Sequence, residues 1–88
     1  MTDTTRSRTE VLREGIVDAV REAEALLGAG DRGARAHTCL ARAGTLAAEL
    51  KALSLRMGSA EGYDYAVRML AIIEKLQAEL KPANGSGP

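Results

Sequence analysis

The chain has 88 residues, 12 basic and 12 acidic side chains, a formal net charge of zero and one cysteine. Balanced charge argues against a nucleic-acid binder, which needs an excess of Lys and Arg to neutralise phosphates. A single cysteine excludes a disulfide framework within one chain and fits a reducing compartment. No apolar run approaches membrane-spanning length and the N-terminus lacks the apolar core of a signal peptide, so the expected location is the cytoplasm, with no membrane insertion.

Apolar residues make up 45% of the chain, but Trp and Phe are absent and alanine supplies much of the total. Such a chain builds one small domain with a small core. Self-association or a bound partner helix would add to that core.

Residues 1–6 are polar and read as a disordered N-terminus. Ser7 and Glu10 have the S-x-x-E spacing of a capping box, which opens a helix over about 8–28. Leu12, Ile16, Ala19, Val20, Ala23, Leu26 and Leu27 then recur every three or four residues and form one apolar stripe. Gly15 interrupts this pattern, either to leave room for a close approach by a neighbouring backbone or simply as a tolerated glycine. Gly28-Ala29-Gly30-Asp31 ends the helix: Gly30 suits the left-handed closing conformation, and Asp31 is placed to cap the next helix.

The second helix is expected over 32–57. Its apolar positions, from Ala36 through Cys39, Leu40, Ala43, Leu46, Ala47, Leu50 and Leu53 to Met57, form a stripe wide enough to touch two neighbours. Gly58-Ser59 reads as a turn with Ser59 as N-cap of a third helix over 60–80. Ala66, Met69, Leu70, Ile73, Leu76 and Leu80 give that helix its stripe. Lys81-Pro82 stops it, and residues 82–88 read as a disordered tail. With no strand signal, the expected fold is all-α: a small antiparallel three-helix bundle running up, down, up.

Catalytic constellations are missing. His37 is the only histidine, and Cys39, two positions on, does not share its helix face, so no metal site is expected. No cofactor motif occurs, the serines lack a nucleophile motif, and the carboxylates are spread as solvated faces. An enzyme is not expected. His37 to Gly44 does resemble the phosphoacceptor helix of histidine phosphotransfer domains. That family follows its His with Lys three positions later and Gly four later, where this chain has Leu40 and Ala41. His37 is therefore the candidate phosphoacceptor of an alternative reading. Tyr63 and Tyr65 point to different sides of the third helix: either one enters the core while the other marks an edge or interface, or both pack with their hydroxyls in water.

The order of features also resembles the flagellin export chaperone family. Leu12 and Gly15 match the ends of its Leu-Tyr-Asp-Gly run, Ala23 stands eight residues after Gly15, and Gly30-Asp31 matches its Gly-Asp turn. Arg42-Ala43, Glu49-Leu50 and Tyr63-Asp64-Tyr65 with Arg68 and Leu70 follow in the family's order. Arg13-Glu14 replaces the Tyr-Asp pair, the span from Leu50 to Tyr63 is shorter, and the family's last helix has no counterpart. The resemblance implies a cytoplasmic chaperone without cofactor or reaction, holding an export substrate such as flagellin.

Together these readings give a non-enzymatic helical module that binds a partner polypeptide, or a second copy in a homo-oligomeric assembly, by burying a helix in an apolar groove. The candidate partner-binding residues are Ala36, Leu40, Ala43, Ala47, Leu50, Tyr63, Tyr65 and Leu70, with the partner filling gaps above the alanines of the second helix.

Overall fold

The computed structural model describes residues 7–80, which fold into three helices: α1 (Arg8–Gly28), α2 (Ala34–Met57) and α3 (Ala60–Leu80). The disordered ends expected at 1–6 and 82–88 lie outside the described residues. Each helix starts and stops for a local chemical reason. Ser7 is extended, and its hydroxyl accepts a hydrogen bond from the backbone N–H of Glu10 at 3.2 Å, the N-cap that the sequence predicts.

At the other end of α1, Gly30 takes φ +84°. Its N–H donates to the Leu27 carbonyl at 3.0 Å, and the Asp31 N–H donates to the Leu26 carbonyl at 2.8 Å. This is the Schellman pair of bonds, which satisfies the last carbonyls of the helix. It also changes the expected role of Asp31. Instead of capping α2, Asp31 closes α1 with its backbone and accepts the Gly33 N–H on its carboxylate at 3.0 Å. That local turn holds residues 31–33 outside the helix, so α2 begins at Ala34 rather than 32, with Gly33 at its N-cap and no side-chain cap.

The second junction repeats the device in less chain. Gly58, at φ +71°, donates to the Leu55 carbonyl, and Ser59 donates to the Ser54 carbonyl at 2.9 Å. Ser59 then caps α3, its hydroxyl accepting the Gly62 N–H at 3.1 Å.

α2 is the middle helix. It packs along its length against both α1 and α3, which meet each other at few places. Arg8 pairs with Glu49 and Arg35 pairs with Glu22 at 3.4 Å, so α1 and α2 run antiparallel. The core is built from Leu12, Ile16, Ala19, Val20 and Ala23 of α1, the 36–54 stripe of α2, and Ala66, Ile73 and Leu80 of α3. A side-chain carbon at Gly15 would stand 2.9 Å from Leu46 Cδ1, so the close approach at Gly15 is made by a leucine tip, not by backbone. Among the described residues no helix is long and apolar enough to cross a membrane.

Candidate functional site

The structure divides the candidate partner-binding residues into two groups. Ala36, Leu40, Ala43, Ala47 and Leu50 have no exposed surface. The wide stripe of α2 is used up by the chain's own α1 and α3, and a partner could reach these five only by displacing a helix. Tyr63, Tyr65 and Leu70 are half-buried. The tyrosines sit on opposite sides of α3. Lys51 of α2 lies 5.7 Å from the Tyr63 ring centroid, and Arg13 of α1 lies 4.6 Å from that of Tyr65, within cation–π range. Neither ring enters the core outright.

What periodicity did not single out is the seam between α1 and α3. Because these helices touch at few places, Leu27 on α1 and Tyr65, Met69 and Leu76 on α3 are only half-covered, although all four pack against the core. Ile72, one heptad after Tyr65 and so on the same side of α3, is 42% exposed. Val17 of α1 joins Arg13 and Tyr65 in a shallow depression along this edge. Met69 and Leu76 follow the same three-four spacing as the buried positions. Spacing says which face points inward, but not how wide a gap remains between two helices that are not consecutive.

Three side chains with chemical potential lie elsewhere. His37 is exposed and lines a depression with Glu74 and Gln77. A carboxylate there would repel a phosphoryl group, where a phosphoacceptor site calls for a cation. Cys39 is buried. Burial pushes its thiol pKa up and nearby Glu22 adds to this, while Arg42 and Arg35 pull it down. The net rise keeps the sulfur protonated and a poor nucleophile. Ser54 is fully buried between α2 and α3, and its hydroxyl has no hydrogen-bond partner among the described residues. Among those residues, no group of three or more His, Cys, Asp or Glu is placed to hold a metal ion.

No protein-family model matches the chain, and comparison with the curated proteins and with the solved structures gives no match.

Proposed function

We propose that the chain is a non-enzymatic protein-binding module that covers apolar side chains of another polypeptide with those left half-bare between α1 and α3. The observation that carries this reading is the incomplete seam: Tyr65, Met69, Ile72 and Leu76 form a continuous strip on α3 that α1 does not close. A contiguous apolar strip rimmed by charge on a small protein is the usual mark of an interaction surface. The mechanism is helix-in-groove burial. The resemblance to flagellin export chaperones supplies a candidate client, an export substrate such as flagellin kept from polymerising in the cytoplasm. The buried protonated thiol and the acid-flanked His37 favour no catalytic alternative.

Calorimetric titration of the full chain with a flagellin C-terminal segment tests the client, and Ile72→Asp tests the site. Ile72 is exposed enough for the variant to keep its helical circular dichroism. Binding by the unmodified chain and its loss in the variant are the expected results. No binding by the unmodified chain would sink the chaperone reading, and equal binding by both would sink the seam.

A further inference from the structure

α3 is fastened mainly from one side and joined to α2 by a very short turn. The ion pairs Arg8–Glu49 and Arg35–Glu22 both tie α1 to α2. α3 rests on α2 through its buried Gly62, Ala66, Ile73 and Leu80, and meets α1 at few places. The Gly58–Ser59 turn is closed by the Gly58 N–H on the Leu55 carbonyl at 3.2 Å and the Ser59 N–H on the Ser54 carbonyl at 2.9 Å. α2 and α3 pair antiparallel about this turn. Ser54 faces Gly62, each four residues from Gly58, and Gly44 faces Ile73, whose Cγ2 would lie 3.9 Å from a side-chain carbon added there. Just before the turn stand Leu55, 68% exposed, and Met57, 63% exposed, the most exposed large apolar side chains among the described residues.

With the turn straightened, each of those α2–α3 pairs could form between two chains instead of within one. Because the pairs are centred on Gly58, a two-fold axis relating the chains would pass beside the two straightened turns. Leu55 and Met57 of both copies would gather around that axis, and their burial is a gain that a single chain does not have. We infer that the surface of α1 and α2 beneath α3 also takes the α3 of a second copy, so that two chains exchange Ala60–Leu80 reciprocally. The exchange continues an interface already present in the fold. It remakes the contact of Arg13 with the Tyr65 ring and the bond from Arg32 Nη1 to the Glu79 carbonyl, at 2.6 Å in the single chain. Each seam of the dimer is then composite, with α1 from one chain and Tyr65, Met69, Ile72 and Leu76 from the other. Its shape is unchanged, so the inference stands or falls separately from the protein-binding reading.

A short link holds α3 near its own groove at an effective concentration on the order of 1 mM, so exchange competes when chains fold at about that concentration. The full chain, refolded from urea at about 1 mM and then diluted, is expected to sediment as a dimer. The dimer should revert to monomer only slowly, because α3 must undock first. Insertion of Gly-Ser-Gly-Ser between Gly58 and Ser59 should return the refolded chain to monomer. Leu55→Lys/Met57→Lys should lower the dimer yield by about tenfold and, both residues being exposed, leave the helical circular dichroism unchanged. Monomer alone after refolding would overturn the inference. So would a dimer that survives the insertion, or one that dissociates at once on dilution. A dimer dissolved by Ile72→Asp but not by Leu55→Lys/Met57→Lys would overturn it in favour of pairing through the seam.

Discussion

Ser54 of α2 and Gly62 of α3 face each other closely. A side-chain carbon at Gly62 would stand 2.4 Å from Ser54 Oγ and 3.2 Å from Ser54 Cβ, so glycine is what lets the helices close here. The hydroxyl it closes over has no partner among the described residues. A buried donor without an acceptor costs about 1–3 kcal/mol, so Ser54→Ala is expected to stabilise the protein by about 1 kcal/mol in urea denaturation. Gly62→Ala should destabilise it in spite of the higher helix propensity of alanine, and should do so less in the Ser54→Ala background, where the 2.4 Å clash is gone. Equal effects of Gly62→Ala in both backgrounds would contradict this account. Ser54 falls four residues after Leu50, on the inward stripe, so its burial was legible from spacing. Its lack of a partner was not, because that depends on how closely α3 approaches.

At the scale of the helices, sequence chemistry carries the boundaries almost completely. Ser7 and Ser59 cap, Gly30 and Gly58 close, and the three-four spacing fills the helices between them. The miss at Asp31 is instructive. A residue with the right side chain for an N-cap sits where its own N–H is claimed by the helix before it, and the backbone bond decides the outcome. Not all glycines at this junction act alike. Gly30 holds a positive φ, which costs a side-chain-bearing residue about 1–2 kcal/mol. Gly28 is the last helical residue, with nothing within 4 Å of an added carbon. Thermal unfolding should therefore show Gly30→Ala lowering the melting temperature and Gly28→Ala leaving it unchanged or raising it. The reverse order would rule out the left-handed closure.

For the molecule as a whole, α2 holds the assembly together. It is buried along two sides, whereas α1 and α3 are each fastened mainly on one. Hydrogen exchange should find the slowest amides in α2, around Leu40, Ala43, Ala47 and Leu50, with α1 and α3 opening at lower free energy. Uniform protection across the three helices would count against this hierarchy. The same geometry explains how much of the site was legible. The width of the α2 stripe is plain in the sequence and predicts two neighbours, which α1 and α3 supply, and the α2 residues also read there as partner-binding are the ones these two helices cover. The seam between α1 and α3 lies between elements that are not consecutive, and no local pattern reports the gap between them.

The scarcity of contacts between α1 and α3 has a consequence for the order in which the molecule is made. Nearly every helix–helix contact joins neighbours in the chain, so no distant ends must meet before structure is rewarded, and folding is expected to be fast. During synthesis, α1 and α2 can settle against each other before Ala60–Leu80 has been translated, and α3 then docks on a surface already in place.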